Sequence, residues 1–342
     1  MQKHKIKFAL SMALLIASPG SLLAQEVESA KTTEAIKDEK TSDSYRNYYK
    51  HREIKTEEML SNQEWDRIKK SVESMTPDKK SLISEKLKQM QEIQANPSGI
   101  AFYEPTYILP YYNSTKISPW YAEHPGSTPD NQRIDKEELK AKLSVIFPIW
   151  TNMFKEPFDF ALTYTQLNYW QVYSNSPYFR ETNYEPQALI TYTGLKNWLL
   201  TAGLDHESNG RGGVGYDGME RSWNRVFLNI AFSGEHWFVA IMPWVPIYKT
   251  SQDLHNPDIT KYLGYSRVVA AYSNSGQEIS LMFRNALESR FKRGALEASY
   301  TFPLYGKLKG MVTFFSGYGQ SLIEYNHYTN AYGIGIALSD WM

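Results

Sequence analysis

The sequence contains no cysteine, which excludes disulfide bonds, thiolate metal sites and cysteine nucleophiles. It also lacks an excess of charge of either sign, because 37 Lys and Arg residues balance 37 Asp and Glu residues. A neutral chain does not carry the overall basic footprint of a nucleic-acid-binding protein. Beyond the N-terminus there is no run of about 18 apolar residues, so we expect no helix that spans a membrane in the mature chain.

The first 24 residues have the pattern of a secretory signal. Three lysines precede an apolar stretch over residues 8–18, and Ala24 offers a small residue before a charged segment begins. We expect cleavage after Ala24, with an uncleaved anchor as the alternative. An exported chain without cysteine fits a bacterial periplasm or outer membrane better than a disulfide-rich secreted protein.

Residues 25–100 are rich in Lys, Glu, Asp and Ser. The first half of this stretch is predicted to be disordered, whereas apolar residues at roughly helical intervals between 62 and 94 predict one or two amphipathic helices. We interpret residues 25–100 as a charged periplasmic extension. It is either a solvated spacer or an arm that binds a specific partner.

From Ala101 onward the chain alternates apolar and polar residues in segments of about ten, which is typical of β-strands. For example, Val226, Leu228 and Ile230 alternate with Arg225 and Asn229. About twelve such segments are predicted, near residues 105–114, 139–150, 158–172, 183–193, 195–208, 222–233, 236–248, 260–273, 277–288, 293–304, 307–320 and 328–341. The pattern suits either a soluble sandwich or an outer-membrane barrel.

The aromatic residues favour the barrel. The chain has 25 Tyr and 9 Trp, and many of them lie near the ends of predicted strands, as in the two girdles of outer-membrane barrels. The last predicted strand ends in Asp340-Trp341-Met342, close to the terminal aromatic strand of such barrels. We therefore predict an all-β fold, a twelve-stranded antiparallel transmembrane β-barrel over residues 101–342, after a signal peptide (1–24) and the extension (25–100).

One group of polar residues lies on the predicted lipid-facing side. His206 and Ser208 are two residues apart, so their side chains share a strand face with Leu204. On the next strand Asn224 shares the face of Val226, and a Gly-rich loop joins the two strands. Three polar groups can therefore meet on the outside of the barrel. The alternative is a polar cluster at the membrane interface without chemistry.

These residue types suit nucleophilic catalysis. Ser208 can attack an ester, His206 can take its proton, and Asn224 can orient the imidazole. A neutral amide avoids an ionised carboxylate beside hydrocarbon. The acyl esters that reach the outer wall of a barrel are lipids, so the position predicts a lipid substrate.

Five sequence stretches resemble the outer membrane phospholipase A family. Residues 206–211 read His-Glu-Ser-Asn-Gly-Arg, residues 221–225 read Arg-Ser-Trp-Asn-Arg, and residues 179–187 read Phe-Arg-Glu-Thr-Asn-Tyr-Glu-Pro-Gln. Residues 256–262 and 316–323 also match in order. The resemblance extends from Ala101 to Met342 and does not include residues 25–100.

The resemblance implies an enzyme of the bacterial outer membrane with phospholipase A1, phospholipase A2 and lysophospholipase activity. This activity would require Ca²⁺ and a homodimer. In this family Ser208 would be the nucleophile, His206 the base and Asn224 its orienting partner. The amide of Gly210, with water polarised by calcium, would stabilise the oxyanion.

The resemblance also implies three calcium ligands: the carbonyl of Arg211, Glu220 where the family has a serine, and Ser176 from the neighbouring subunit. A carboxylate suits calcium, so Glu220 is expected to keep the site with altered affinity. Asp217 in the same loop is either a further ligand or simply solvated.

Gln166 supports a dimer from the residues themselves and also matches the interface glutamine of the family. It shares the outer face of Leu162 and Tyr164, where a carboxamide would seek a partner, unless it is a solitary polar residue at the interface.

The alternative function is a noncatalytic porin or structural barrel with Arg225, Asn229 and Arg284 inside. The two functions place their functional residues on different faces. The residues of a porin line the inside of the barrel, whereas His206, Ser208 and Asn224 lie on the predicted outer face.

Overall fold

The computed structural model describes residues 99–212, 218–247, 255–285, 289–290 and 292–341. The predictions for the signal peptide and for the extension up to residue 98 fall outside these residues, as does the prediction for Asp217. Within the described part of the chain, no helix is long and apolar enough to cross a membrane.

The described chain is built mainly from β-strands. They are β1 (Ala101–Phe102), β2 (Thr106–Ser114), β3 (Glu137–Trp150), β4 (Phe158–Trp170), β5 (Phe179–Tyr192), β6 (Trp198–Ser208), β7 (Ser222–Ser233), β8 (Trp237–Ile247), β9 (Ser266–Asn274), β10 (Gln277–Arg284), β11 (Ala295–Tyr305), β12 (Leu308–Tyr318) and β13 (Tyr328–Ser339). Two short α-helices, α1 (Trp120–Glu123) and α2 (Thr260–Leu263), and two 3₁₀ turns, Pro129–Asn131 and Met153–Lys155, lie between strands.

The strands close into a barrel. Each strand from β3 to β12 pairs antiparallel with its sequence neighbours, and β13 pairs with β2 to complete the ring. The short β1 pairs with the same edge of β3 as β2, through Ala101 opposite Ile146, and so extends the first strand. The barrel therefore has twelve strands, as predicted. Closure satisfies the backbone hydrogen bonds of every strand without an exposed edge, as a bilayer requires.

The two faces of the sheet differ as the alternation predicts. On the outside, Leu204, Val226, Ile279 and Ile334 are about half exposed, at 57%, 46%, 54% and 55%. Such apolar side chains cover the wall of the barrel. An apolar exterior on a closed barrel is the surface that a lipid bilayer solvates.

The interior is polar and filled. Arg225 contacts the carboxylates of Asp205, Glu185 and Glu207 at 2.5, 3.1 and 3.1 Å. From the segment between β1 and β2, Glu104 bridges Lys142 and Arg267 on β3 and β9. The charged residues leave a cavity of about 160 Å³. Arg225 thus pairs with carboxylates of the neighbouring strands β5 and β6, whereas Glu104 joins β3 to β9 across the lumen.

The two ends of the barrel are unequal. At one end, which we call the turn end, strands are joined by short connections such as residues 275–276, where Ser275 and Gly276 both have positive φ angles of 52° and 78°, as a tight hairpin requires. At the other end, the loop end, residues 115–136, 209–221 and 248–265 form long connections. Long loops face outward in outer-membrane barrels, so the loop end is the extracellular end.

The prediction of a strand over residues 260–273 was wrong in its first third. Residues Thr260–Leu263 form α2, and β9 begins only at Ser266. Gly264 ends the helix with a φ of 71°, a conformation that favours glycine. Trp244 holds this turn by donating its indole N–H to the Gly264 carbonyl at 3.0 Å.

Candidate functional site

His206 and Asn224 lie directly opposite each other on β6 and β7. The imidazole Nδ1 is 2.8 Å from Oδ1 of Asn224. Because a carboxamide oxygen only accepts, Nδ1 donates in this bond and Nε2 is left as the free basic nitrogen. Both side chains are half-buried on the outer face at the loop end.

Ser208 ends β6, and its side chain shares the outer face with that of His206. It pairs across the strands with Ser222 on β7 and with Tyr184 on β5. The structure joins His206 to Asn224 by a hydrogen bond, whereas the described contacts include none between Ser208 and His206. All three predicted residues nevertheless lie within one corner of two adjacent strands.

Gly210 follows the serine by two residues and has a φ of 65°. A Cβ at this position would lie 2.8 Å from the ring of Tyr184. Both the backbone conformation and the close approach therefore require glycine. The chain can turn sharply here, so that the backbone amide of Gly210 stays next to the serine.

Asn209 closes the loop that follows the serine. Its side chain is 4% exposed. Its Oδ1 accepts from the amides of Arg221 at 2.9 Å and Arg211 at 3.3 Å, and its Nδ2 donates to the carbonyl of Met219 at 2.9 Å. One side chain thus ties both ends of the loop over residues 209–221 together. Sequence reasoning did not identify Asn209, although an Asn at the first residue after a strand is a common signal of such a turn.

Arg211 has its side chain anchored on three sides. The guanidinium donates to the carbonyl of Ser127 at 3.1 Å and to the carbonyl of Arg180, and Nε lies 3.5 Å from the carboxylate of Glu181. These contacts leave the backbone carbonyl of Arg211 in the loop next to Gly210. The side chain of Arg211 therefore anchors the residue whose backbone carbonyl is the predicted calcium ligand.

Glu220 lies at the other end of the same loop. Its Oε1 is 3.0 Å from Nδ1 of His255, and about a third of its side chain is exposed. Asn209 accepts from the amides of both Arg211 and Arg221, so Arg211 and the neighbour of Glu220 are tied to the same side chain at the base of one loop. A carbonyl and a carboxylate oxygen are the donors that Ca²⁺ prefers, so these residues fit the ion.

The third predicted ligand lies elsewhere in the chain. Ser176 is exposed in the loop between β4 and β5, where its carbonyl accepts from the hydroxyl of Ser174 at 3.1 Å. The described contacts do not join Ser176 to Glu220. Across the described ranges, no three His, Cys, Asp or Glu side chains form a group that could hold a metal ion, so a calcium site here needs oxygen donors of other kinds, such as backbone carbonyls.

A second asparagine holds the start of β7. Asn256 is 3% exposed, and its Nδ2 donates to the carbonyl of Ser222 at 3.0 Å while its Oδ1 accepts from the Ser222 amide at 3.3 Å. Nearby, the Tyr325 hydroxyl donates to Asp258 at 2.7 Å. Burial raises the pKa of Tyr325, and the bond to Asp258 adds to the shift, so the hydroxyl keeps its proton as a donor.

A buried ion-pair network supports the loop end beneath the site. Arg180 is 1% exposed, contacts Glu138 through two nitrogens at 2.8 and 2.9 Å, and contacts Glu324 at 2.9 Å. It joins β3, β5 and the loop before β13. Sequence reasoning quoted Arg180 as part of a motif but did not assign it this role.

Gln166 finds its partners on its own strand. Its Oε1 accepts from the Tyr164 hydroxyl at 2.8 Å, and its Nε2 donates to Oδ1 of Asn168 at 2.9 Å. The carboxamide is half-buried on the outer face. The hydrogen-bonding need that the sequence implied is met within the chain, and its place at a dimer interface stays a prediction.

Comparison with known proteins adds a family to this geometry. Residues 83–338 match the family described as phospholipase A1. A Neisseria meningitidis relative is 36% identical over 261 residues, which cover 71% of this chain and 66% of that protein. Phospholipase A1 of Klebsiella pneumoniae is 32% identical over 253 residues, which cover 72% of this chain and 84% of the relative.

A solved structure also matches. The crystal structure of a Salmonella typhi outer membrane phospholipase, a dimer with bound calcium, superposes with a TM-score of 0.64 and 30% identity. The superposition covers 72% of this chain and 94% of that one.

Proposed function

This chain belongs to the phospholipase A1 family, and on that premise we propose that Ser208, His206 and Asn224 form the catalytic triad of a calcium-dependent phospholipase. Its membership of the family makes it an acyl ester hydrolase in a bacterial outer membrane. The observation that carries the triad is the 2.8 Å contact of His206 with Asn224, on the lipid-facing side of the barrel beside a serine.

The acylation step follows from these groups. Nε2 of His206 takes the proton of the Ser208 hydroxyl as Oγ attacks the acyl carbonyl, and the ester C–O bond then breaks. The imidazolium gives its proton to the leaving lysophospholipid oxygen. In the second half, His206 activates a water that hydrolyses the acyl-serine and releases a fatty acid. Asn224 keeps the ring in the tautomer that leaves Nε2 free.

Gly210 is proposed to stabilise the oxyanion with its backbone amide. The positive φ and the close contact of Tyr184 support this role, because they fix the turn immediately after the nucleophile. An amide fixed in advance at the developing charge stabilises a transition state more than a solvent dipole does.

Calcium is proposed to bind at the base of the loop over residues 209–221. The carbonyl of Arg211 and the carboxylate of Glu220 would hold it, together with Ser176 of the partner subunit. When bound, calcium supplies positive charge that stabilises the oxyanion through polarised water. The related Salmonella protein, a dimer with bound calcium, supports both the ion and the second subunit.

The substrate is proposed to enter from the bilayer. The triad lies on the outer wall at the extracellular end, where the acyl esters of outer-leaflet phospholipids are at the same depth. Gln166 lies two strands from the triad on the same face and is proposed to contact a second copy of the chain.

The competing porin function has no support from the interior. Ion pairs from Glu104 to Lys142 on β3 and to Arg267 on β9 bridge the lumen, beside a cavity of about 160 Å³. The activity test is release of fatty acid from phospholipid micelles by the detergent-refolded protein. We expect release with millimolar calcium and none after chelation, and release that ignores chelation would contradict the calcium requirement.

A further inference from the structure

Four exposed cations lie at the loop end of the barrel. Lys116 follows β2, and Arg290, Lys292 and Arg293 lie in the connection between β10 and β11. Among the described residues, no carboxylate comes within 4.0 Å of these four side chains, whereas neighbouring Lys261 pairs with Asp258 at 3.8 Å. The positive charge of this region is therefore not neutralised by the ion pairs that the structure describes.

A row of tyrosines connects the cations. The amino group of Lys116 lies 5.8 Å from the ring centre of Tyr328, and the Arg293 guanidinium lies 4.9 Å from that of Tyr262. Tyr318 stands between the two rings, at 5.6 Å from Tyr328 and 5.2 Å from Tyr262. We call these four cations and three tyrosines the cationic rim. Cation–π contacts hold the charged groups over the rings instead of leaving them free in solvent.

Described residues of the connection that carries three of the cations are hydrogen-bonded to one another and to α2. The Ser289 hydroxyl donates to the carbonyl of Asn285 at 2.6 Å and accepts from the amide of Arg293 at 3.0 Å. Asn285 is 3% exposed and donates to the carbonyls of Lys261 and Tyr262, both at 2.9 Å. Arg293 is thus linked through Ser289 and Asn285 to α2.

The depth of the cationic rim matches that of lipid phosphates. The rim begins where the apolar outer face ends, directly beyond exposed Phe283 on β10 and beside exposed Tyr265. Tyrosines at a strand end mark the level of the headgroups in a membrane barrel. Arginine binds phosphate oxygens with two parallel hydrogen bonds, and lysine binds them as a point charge.

The cationic rim is separate from the proposed active site. Three of the four cations lie in the β10–β11 connection, and β10 is three strands from β7 in the closed ring of twelve strands. Lys116 follows β2, which is four strands from β6. A lipid held there is not positioned for attack by Ser208.

We propose that the cationic rim is a binding site for the phosphate groups of an outer-leaflet lipid. The exposed ring of Tyr328 and an apolar wall directly below the cations favour a lipid over a soluble anion, because a soluble anion has no acyl chain to contact that wall. The bound lipid anchors the part of the barrel wall from β10 to β2, away from β6 and β7.

The test measures binding of diphosphoryl lipid A, a phosphate-bearing lipid, to refolded protein in zwitterionic detergent with chelator, by native mass spectrometry. The rim variant is Arg290→Gln/Lys292→Gln/Arg293→Gln. The matched control, Lys155→Gln/Lys196→Gln/Lys307→Gln, removes the same charge from three exposed lysines at the turn end.

We expect the Kd to rise at least about tenfold in the rim variant and to change by less than about twofold in the control. Dephosphorylated lipid A should bind the wild-type protein as weakly as the diphosphoryl form binds the rim variant. Unchanged affinity in the rim variant, or an equal loss in the control, would overturn the proposal.

A competition experiment uses inorganic phosphate at about 10 mM, on the order of physiological anion levels. If phosphate displaces the bound lipid A, the site is assigned to free phosphate instead. Resistance of the folded rim variant to unfolding in cold SDS verifies that the barrel is intact. Binding is measured without turnover, so the result does not depend on the proposed triad.

Discussion

His206 and Asn224 face each other across one strand pair on the outside of the barrel, with Nδ1 and Oδ1 2.8 Å apart. The register of β6 and β7 sets this distance, and the paired inner residues Glu207 and Trp223 reinforce it through an indole bond of 2.8 Å. A neutral amide at this position avoids an unpaired carboxylate next to lipid. The pair therefore combines a tautomer-fixing hydrogen bond with a low cost of desolvation.

Replacing Asn224 tests the orienting role. Asn224→Ala should lower kcat about 10- to 100-fold and leave KM within about twofold, because the imidazole loses its tautomer and direction while the lipid surface is unchanged. Steady-state kinetics on mixed micelles measures both. Asn229→Ala, on the same strand but facing inward, serves as the control. Equal kcat in Asn224→Ala and the wild-type protein would rule out the orienting role.

Replacing Asn209 should disturb the loop over residues 209–221 and leave the barrel folded. Asn209→Ala removes three hydrogen bonds that close residues 209–221, so we expect kcat to fall and the calcium concentration for half-maximal activity to rise about tenfold. The matched variant Asn285→Ala removes the corresponding hydrogen bonds at a different loop end, directly after β10. If Asn285→Ala reduces activity as much as Asn209→Ala does, the effect is general destabilisation.

Glu220 should set the calcium affinity. Glu220→Ala removes a carboxylate oxygen at the base of the loop and should raise the calcium requirement about tenfold, with maximal kcat at saturating calcium nearly kept. Glu220→Ser, which has the residue that the family resemblance implies, should restore part of the affinity. Activity titrated against free calcium measures this, with Glu235→Ala at the turn end as the control. A calcium dependence unchanged in Glu220→Ala would exclude Glu220 as a ligand.

Gln166 should affect association between copies of the chain. Gln166→Ala should weaken the calcium-dependent dimer about fivefold, because hydrogen bonds between membrane segments contribute about 1 kcal/mol. Analytical ultracentrifugation in detergent gives the dimer constant. Gln277→Ala, at the turn end of β10, provides the comparison. If Gln166→Ala has the dimer constant of the wild-type protein, Gln166 forms hydrogen bonds with Tyr164 and Asn168 alone and not with the second subunit.

The barrel could be predicted from the sequence because strand periodicity records which side chain faces which way. Leu204 and Val226 alternate with Asp205 and Arg225, and the same parity places His206 and Asn224 outside. The predicted strand boundaries agree with the structure to within a few residues, except at α2. There, residues 260–263 carry no alternation that distinguishes a helical turn from a strand.

The loops could not be predicted in the same way. Asn209 after a strand signals a turn, but the sequence does not say which backbone atoms its side chain binds. Arg180 meets Glu324 although they are 144 residues apart, and only the closure of the barrel brings them together. Contacts between distant loops depend on the whole ring of strands, so local sequence patterns do not encode them.

The most direct test of the triad compares two serines that face each other across β6 and β7. Ser208→Ala and Ser222→Ala remove the same hydroxyl from paired positions, so each should leave the barrel folded. Fatty acid release from phospholipid in calcium, measured on refolded protein, should fall at least about 10³-fold in Ser208→Ala and less than about threefold in Ser222→Ala. Undiminished release by a folded Ser208→Ala protein would contradict the assignment of Ser208 as the nucleophile.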